Sequence, residues 1–545
     1  MSTGARHFKN VKRHSKPGGS VWPLGPSGTF RDLEVGRTSY PLGSDLGTGL
    51  DTMAIAFDNS YSRLPARFYA QVAPTKVREP QIVKLNHSLA TLLGLDDELL
   101  DSPEGAQILS GNVVPTGAAA IALAYAGHQF GGFVPQLGDG RAILLGEVVG
   151  VDGRRQDIQL KGAGRTPFSR GGDGRAALGP VLREYLVSEA MCALGVPTTR
   201  ALAAVTTGEP VFREERLPGA VLTRVAASHM RVGTFEYFAA RQDREALALL
   251  TTYALARHYP LESGHGTASS NDALRLLDNV ISAQALLVAQ WLGVGFVHGV
   301  MNTDNTSISG ETIDFGPCAF LDEYDPKKKF SSIDHVGRYA FGNQPRIALW
   351  NLTRFAESLL LLIADNAEEA ARLATDRLER FPERFELAFA RVMRQKVGFA
   401  RENEHDSVLV DNLLTALAEN RVDYTVFFRM LCSAVEDPTV DAKLASLFDQ
   451  PTSLHVWADT WRARLQKEVV APAVRVADMR RANPAFIPRN HRIEQAIVAG
   501  MNGDFEPFES LVRVLARPYE DQPAFACLAE PPLPEERVQA TFCGT

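Results

Sequence analysis

The chain has 545 residues, a formal net charge of −7 at pH 7, and 22% charged residues. This composition is ordinary for a globular protein long enough for about two to four domains, and its mild acidity gives no reason to expect nucleic acid as a partner. The five cysteines are scattered and lack C-x-x-C spacing. That pattern disfavours a secreted disulfide framework and a structural zinc site, and it fits an intracellular enzyme.

The N-terminal stretch, residues 1–60, is rich in Gly, Pro and Ser and is predicted to be a tail. Its basic segment RHFKNVKRHSKPGG lacks the apolar core of a secretory signal. A disordered tail and an organellar transit peptide both fit this composition.

Residues 61–205 alternate short apolar runs with glycine clusters, which indicates a small region built around a sheet. RAILLGEVVG (141–150) and DIQLKGAG (157–164) are predicted strands joined by VDGRR, whose Asp-Gly pair favours a hairpin turn. AALGPVLREYLVSEAMCALG (176–195) has apolar residues at helical spacing and ends on glycine, so we expect a helix there.

After about residue 240 the pattern is almost entirely helical. We expect a second region at 206–345 that carries the catalytic motifs, and a helical extension at 346–545. The most apolar stretch, VISAQALLVAQWLGVGFV (280–297), contains Ser282, Gln284 and Gln290. A helix buried in a large domain explains it better than a membrane span, so we expect no membrane association.

A glycine turn in QLGDGRAILLGE (136–147) is a candidate anion site. Gly138 and Gly140 would let backbone N–H groups approach an anion, and Arg141 adds charge. Such a turn more often only joins two strands, and Asp139 within it argues against a phosphate lying directly on the turn.

Lys161 ends a predicted strand about twenty residues after this turn, where protein kinases place their phosphate-binding lysine. Such a lysine needs a carboxylate partner, and the following helix offers Glu184 and Glu189. The spacing favours Glu184. Two solvated surface charges are the alternative reading of this Lys–Glu pair.

Further cations follow the lysine. The loop GAGRTPFSRGGDGRAALG (162–179) holds three arginines among its glycines and can present amides and guanidinium groups to phosphates, or be a solvated surface loop. In LTRVAASHMRVG, Arg224 and Arg231 are seven residues apart. On a helix this spacing would place both on one side, two turns apart.

The stretch HGVMNTDNTSISGETIDFG (298–316) resembles the catalytic centre of a protein kinase. Asn305 lies seven residues after His298, as the kinase metal ligand does, and Asp314 begins D-F-G. Both are candidate Mg²⁺ ligands. Val300 occupies the position of the kinase base, and Asp304 is the nearest carboxylate able to replace it.

Five segments resemble the selenoprotein O family, kinase-fold enzymes that act as protein adenylyltransferases: AGHQFGGFVPQLGDGRAILLGE, LKGAGRTPFSRGGDGRA, SEAMCALGVPTTRAL, HGVMNTDN and GRYAFGNQPRIALWNL. The likeness covers about residues 60–545. It implies an α+β, bilobal protein-kinase-like fold with a small sheet-containing N-lobe (61–205), a helical C-lobe (206–345) and a helical C-terminal extension (346–545).

The resemblance also implies a nucleotide bound in reverse, with its γ-phosphate buried and its α-phosphate presented for attack. Asp304 would be the proton acceptor, Asn305 and Asp314 would hold the metal, and Glu184 would support the lysine. By position, the residues implied to contact the nucleotide are Gly138, Gly140, Arg141, Lys161, Asp173, Gly174, Arg224, Arg231 and Asp314.

The implied reaction transfers AMP from ATP to Ser, Thr or Tyr hydroxyls of proteins and releases pyrophosphate, with Mg²⁺. It extends to UMP transfer from UTP with Mn²⁺. We expect a monomer in the bacterial cytoplasm, or in the mitochondrion if the source is eukaryotic. An atypical protein kinase and an ATP-binding pseudokinase scaffold are the alternatives, although a scaffold has no need of two metal ligands.

Cys543, in the C-terminal TFCGT, matches the place where members of this family carry a redox-active selenocysteine or cysteine. Cys318, just after D-F-G, is the partner that the sequence suggests for a regulatory disulfide. Some relatives have their cysteine nearer the position of Phe330.

Overall fold

The computed structural model describes residues 55–261 and 271–541. Most of the tail predicted for residues 1–60 lies outside the described residues, and so does Cys543.

The strands of the described chain build one large sheet and two small strand pairs. In chain order they are β1 (Tyr69–Gln71), β2 (Gln81–Leu85), β3 (Ile121–Leu123), β4 (Gly127–Gln129), β5 (Gly132–Val134), β6 (Ala142–Val149), β7 (Arg155–Lys161), β8 (Ala176–Ala177), β9 (Arg200–Phe212), β10 (Arg216–Ala226), β11 (Phe296–Val297) and β12 (Ala319–Phe320). The large sheet has the order β1-β3-β6-β7-β10-β9-β2, with β8 paired to β10. Its neighbouring strands run antiparallel, and β4–β5 and β11–β12 form the separate pairs.

The hairpin of β6 and β7 confirms the two strands predicted around VDGRR. Ala142 pairs with Lys161 at one end of the hairpin and Val149 pairs with Arg155 at the other. Gly153 takes a φ of +77° in the turn, a conformation that glycine adopts without steric cost. Lys161 is thereby placed at the end of a central strand.

The helices are α1 (His87–Leu92), α2 (Asp97–Leu100), α3 (Pro103–Leu109), α4 (Leu178–Ala193), α5 (Val232–Ala239), α6 (Arg244–His258), α7 (Asp272–Val294), α8 (Gln344–Ile363), α9 (Ala367–Leu378), α10 (Phe381–Val397), α11 (Asp406–Glu419), α12 (Tyr424–Ser433), α13 (Val440–Ala445), α14 (Pro451–Leu465), α15 (Pro472–Ala482), α16 (Asn490–Met501) and α17 (Glu506–Leu515). The described chain is therefore mixed α and β, with the sheet in its N-terminal part and helices in its C-terminal part, as predicted.

Helix α4 confirms the helix predicted for residues 176–195. It packs against β9 and β10, and Leu182, Tyr185 and Leu186 of its apolar face are buried. Gly195, with a φ of +77°, follows the last turn. The helix connects the sheet to the rest of the molecule, because α16 and α17 pack on it as well.

Helix α7 contains most of the apolar stretch considered above. It is long and apolar enough to cross a membrane by length and composition, but 67% of its most apolar window is buried inside the protein. The indole N–H of Trp291 donates to Thr312 Oγ1 at 2.8 Å, and Gly295 ends the helix in a left-handed conformation. The helix then leads through β11 into the loop at 298–316.

Part of the helical C-terminal region packs into a second hydrophobic core, built around residues such as Phe427 and Trp461, to which the end of α7 and the segment after it also contribute. A buried ion cluster lies at its edge.

Glu468 is the centre of this cluster. It accepts hydrogen bonds from the backbone N–H groups of Ala400 and Arg401 and from the side chains of Arg464 and Arg475, all at 2.9 Å. Burial acts to raise the pKa of Glu468, but these donors outweigh it and lower that pKa to about 2.

The boundary predicted at residue 205 falls within β9, and the sheet continues to Ala226. Because β9 pairs with β10, the sheet extends beyond residue 205, where the glycine-rich part of the sequence was predicted to end. The division into lobes stays a prediction.

Candidate active site

One cavity of about 470 Å³ brings the predicted site residues together. Its wall combines the glycine turn before β6, the end of β7, the glycine-rich loop before α4 and the loop at 298–316. The predicted residues that line it are Gly138, Gly140, Arg141, Lys161, Asp173, Gly174, Glu184, Arg224, Arg231, Asp304, Asn305 and Asp314.

Asp314 is the centre of the charged wall. Its Oδ1 accepts hydrogen bonds from Lys161 Nζ at 2.9 Å and from Arg224 Nη1 at 2.7 Å. Its Oδ2 accepts from Arg231 Nη1 at 2.7 Å. Burial acts to raise the pKa of Asp314, but the three cations outweigh it and hold that pKa well below its usual range. The carboxylate is therefore ionised at neutral pH.

Lys161 contacts Glu184 rather than Glu189. The distance from Lys161 Nζ to Glu184 Oε2 is 2.5 Å, whereas Glu189 pairs with Arg200 at 2.7 Å. Glu184 lies on α4 and is buried, so the pair joins the helix to the sheet rather than being solvated on the surface.

Arg224 and Arg231 do not share a helix, so the helical geometry expected for them is wrong. Arg224 lies on β10, and Arg231 is the N-cap of α5. They still converge on Asp314, because the chain turns between the strand and the helix. Arg231 also donates to Asp304 O at 2.6 Å, and its guanidinium lies 4.7 Å from the ring centre of Tyr125.

The glycine turn has room for nothing larger than glycine. Gly138 has a φ of +67°, and a Cβ there would lie 2.3 Å from the Phe168 ring. Asp139 faces inward, where its Oδ2 accepts from Leu123 N at 3.0 Å. Burial raises the pKa of Asp139 to about 6. The carboxylate is thus turned toward the buried strand β3, although Asp139 is still one of the residues that line the cavity.

The glycine-rich loop is fixed at Asp173 and Gly174. Asp173 accepts from Arg213 at 2.8 Å and from the backbone of Arg175 at 2.9 Å, and the Arg213 hydrogen bond is the main cause of its lowered pKa. A Cβ on Gly174 would lie 2.1 Å from Gly164 O. Both residues therefore shape the loop at the cavity.

The loop at 298–316 places Asp304 and Asn305 on the cavity. His298 is buried with Nε2 2.9 Å from Ile313 O, which ties the two ends of the loop together. Asn305 Nδ2 donates to Val300 O at 2.9 Å, so its amide oxygen is the atom left to act as a ligand.

Asp304 is buried, and burial raises its pKa to about 6. The carboxylate is thus mostly ionised at neutral pH while lying close to the pH range in which it exchanges a proton.

Asn305 and Asp314 are chemically suited to a hard divalent cation. Both offer oxygen atoms at the same cavity, and Asp314 uses three of the about four hydrogen bonds that a carboxylate accepts. Within 55–261 and 271–541 there is no cluster of three or more His, Cys, Asp or Glu residues that would hold a metal alone. Two side-chain ligands plus phosphates fit this donor set.

Cys318 is fully buried, and burial raises the pKa of its thiol to about 12. Thr541 lies close by, because its hydroxyl donates to Pro317 O at 2.5 Å. The disulfide between Cys318 and Cys543 stays a prediction, since Cys543 lies outside the described residues.

Gln159 does not line the cavity but holds two residues that do, and the sequence reasoning missed it. Its Oε1 accepts from Arg224 at 2.6 Å, and its Nε2 donates to Asp139 Oδ2 at 3.1 Å. It precedes Lys161 by two residues on β7, so strand alternation places both side chains on one face. The two-residue spacing from Lys161 along a predicted strand could have identified Gln159 from the sequence.

Comparison with known proteins adds to this geometry. The family model described as "Protein adenylyltransferase SelO" matches residues 51–516. The chain belongs to the SelO family. It is 59% identical over 495 residues to "Protein nucleotidyltransferase YdiU" of Bradyrhizobium diazoefficiens, covering 91% of this chain and 100% of that protein. The protein of the same name from Rhizobium meliloti is 58% identical over 493 residues, covering 90% and 100%.

The one from Methylorubrum extorquens is 59% identical over 501 residues, covering 91% of this chain and 100% of that protein. The chain is therefore a nucleotidyltransferase, and adenylyl transfer by its family implies ATP as the nucleotide substrate.

Proposed function

We propose that this protein transfers AMP from ATP to Ser, Thr or Tyr hydroxyls of proteins. The observation that carries the proposal is the arrangement in one cavity of a carboxylate in contact with three cations, Asp314, and a second buried carboxylate, Asp304. Asp314 and the three cations suit a metal and a polyphosphate. Asp304 suits proton transfer from an acceptor hydroxyl.

The buried arginines support a reversed nucleotide. Arg224 and Arg231 are only 1% and 3% exposed, and they lie with Lys161 at Asp314. We propose that these cations neutralise the β- and γ-phosphates, which become the leaving pyrophosphate. The amides of Gly138 and Gly140 with Arg141, and the loop at Asp173 and Gly174, are proposed to complete the nucleotide contacts.

The reaction balances with Asp304 as the base. The acceptor oxygen bonds to the α-phosphorus, the bond between that phosphorus and the pyrophosphate oxygen breaks, and the acceptor proton goes to Asp304. Val300, at the kinase base position, has no proton-accepting atom.

Asn305 and Asp314 are proposed to hold Mg²⁺ or Mn²⁺, which would supply charge neutralisation and alignment of the phosphates. Use of UTP with Mn²⁺ is part of the same proposal. Pairing of Lys161 with Glu184 keeps the lysine in place for the phosphates.

We propose that the sheet-containing part and the helices after it are the two lobes of a protein-kinase-like fold, with a helical C-terminal extension. The cavity supports this division, because the sheet supplies Lys161 and Arg224 and the loop that follows α7 supplies Asp304. The named relatives are bacterial, which supports a bacterial cytoplasmic enzyme. A monomer acting on protein substrates completes the proposal.

Labelled nucleotides test the reaction. Incubation of the enzyme and a bacterial protein extract with α-³²P-ATP should label protein, whereas γ-³²P-ATP should not. Asp304→Asn should abolish the α-label. Incorporation from the γ-label alone would identify a protein kinase, and the absence of any label with retained ATP binding would identify a scaffold.

A further inference from the structure

The hairpin of β4 and β5 lies directly against the loop that carries Asp304. Three successive hairpin residues donate hydrogen bonds to three successive loop residues. The bonds run from His128 N to Thr303 Oγ1 at 2.6 Å, from Gln129 Nε2 to Asp304 Oδ2 at 3.0 Å, and from Phe130 N to Asn302 Oδ1 at 3.1 Å. The middle bond is the only one of the three that comes from a side chain. Gln129 thus reaches the candidate base from a segment distant in sequence.

The backbone after Gln129 is held in a strained conformation. Phe130 has a φ of +52°, a left-handed conformation that costs a bulky side chain about 1 to 2 kcal/mol. Asn302 stabilises it, because Asn302 Oδ1 accepts from Phe130 N and from the hydroxyl of Tyr339 at 2.6 Å. The Phe130 ring also packs edge-on against Tyr339, with 5.1 Å between ring centres.

The backbone before Gln129 is fixed as well. Glu236 on α5 accepts the hydroxyl of Thr303 at 2.5 Å, and its other oxygen lies 2.5 Å from His128 Nδ1. Glu236 is buried, so both contacts are shielded from water. Gln129 therefore projects from a turn whose backbone is anchored on both sides, which places the start of its side chain next to Asp304.

The two oxygens of Asp304 have different surroundings. Oδ2 accepts the Gln129 amide, whereas Oδ1 is buried and has no hydrogen-bond partner among the described residues. Gly127 lies beside Oδ1, since a Cβ on that glycine would be 2.9 Å from it. A buried carboxylate oxygen without a donor is costly to maintain, so the Gln129 amide at Oδ2 matters for holding Asp304 in this orientation.

We propose that Gln129 is a positioning residue for the transfer reaction: its amide holds Asp304 through Oδ2 and so orients the carboxylate that accepts the proton of the acceptor hydroxyl. This inference rests on the proposed function, in which Asp304 is the base. Gln129 and Asp304 both line the cavity, and Asp304 can rotate about its side-chain bonds if the amide is removed.

Gln129→Glu is the decisive variant, because it keeps the shape of the side chain and replaces the N–H donor with an oxygen. Gln129→Ala removes the side chain altogether. In steady-state assays of AMP transfer with α-labelled ATP, we expect kcat to fall at least about tenfold in both variants, which is a part of the roughly 10²- to 10⁴-fold contribution of a general base. The KM for ATP should stay within about twofold, since Gln129 contacts Asp304 and not the cationic wall.

Gln136→Glu is the matched control, as Gln136 is exposed two residues after β5 and does not line the cavity. It should keep the wild-type kcat. A packing role for Gln129 would leave Gln129→Glu active and Gln129→Ala impaired, and that result would overturn the inference.

Asp304→Asn, assayed in parallel, separates this inference from the proposed function. If Asp304→Asn transfers AMP at the wild-type rate, Asp304 is not the base and the role of Gln129 fails, while AMP transfer itself stands. Absence of α-label with the wild-type enzyme would instead contradict the proposed function. If Asp304→Asn is inactive and Gln129→Glu keeps wild-type kcat, only the role of Gln129 fails. Inactive Asp304→Asn together with a reduced kcat and unchanged KM in Gln129→Glu supports both.

Discussion

Replacing Asp314 by Asn removes the negative charge that three cations share. Lys161, Arg224 and Arg231 each contact this carboxylate within 2.9 Å. Removing one partner of a buried ion pair lowers the free energy of unfolding by about 3 to 5 kcal/mol. Because Asn keeps one acceptor oxygen, we expect a loss at the lower end of this range, about 3 kcal/mol. The unfolding entropy of about 2.1 cal/mol/K per residue makes 1 kcal/mol equal to about 1 °C in Tm for the unit Thr52–Thr545.

The Tm of Asp314→Asn without nucleotide should therefore fall by about 3 °C in differential scanning fluorimetry. AMP transfer should fall at least about a hundredfold, because loss of a metal ligand removes several kcal/mol of transition-state stabilisation. Asp365→Asn is the control, since Asp365 forms an exposed ion pair with Arg244 and should change Tm by less than about 1 °C.

Two outcomes would refute this reasoning about Asp314. A variant that keeps half of the wild-type transfer rate would remove Asp314 from the proposed metal ligands. A variant with an unchanged Tm would show that the three cations do not depend on this carboxylate in the folded protein.

Three further predictions concern other parts of the molecule. Cys318, buried and with a raised thiol pKa, should resist iodoacetamide in the folded protein while the exposed Cys527 reacts; mass spectrometry showing equal labelling would contradict its burial. The folded pKa of Glu468 is lowered to about 2, so its contribution is present above pH ~4.5 and lost as pH falls toward 2. Glu468→Gln should therefore lower Tm by about 3 °C at pH 7 and by progressively less below pH 4.5, and a difference that is independent of pH would refute this assignment. Gly138→Ala should raise the KM for ATP and lower Tm by about 2 °C or more, because the added Cβ overlaps an aromatic ring. Gly153→Ala, with a similar φ but open space around it, should change Tm less and leave KM unchanged.

The order of motifs along the chain predicted which residues meet at the cavity. Lys161, Glu184 and Asp314 were placed by local signals: a strand end, a helix register and a D-F-G sequence. These signals hold because a strand or helix fixes the direction of each side chain over a few residues.

The parts that sequence reasoning missed depend on contacts between distant segments. Arg224 was considered on a helix, yet β10 pairs with both β7 and β9, and this long-range pairing determines its conformation. Asp139 was expected to oppose a phosphate lying directly on the turn, whereas the hydrogen bond from Leu123 N turns its carboxylate inward. The contact of Gln129 with Asp304 spans 175 positions, and no local pattern encodes such a distance.

The charge balance around Asp314 has a consequence for the order in which ligands enter. The negative charge of Asp314 is shared by Lys161, Arg224 and Arg231. Under the proposed function, a bare divalent ion meets three positive charges at this carboxylate and is repelled. A nucleotide that arrives with its metal brings a cation to the carboxylate and phosphates to the cations. The proposed function therefore predicts that the rate of turnover follows the concentration of the metal–nucleotide complex rather than that of the free ion.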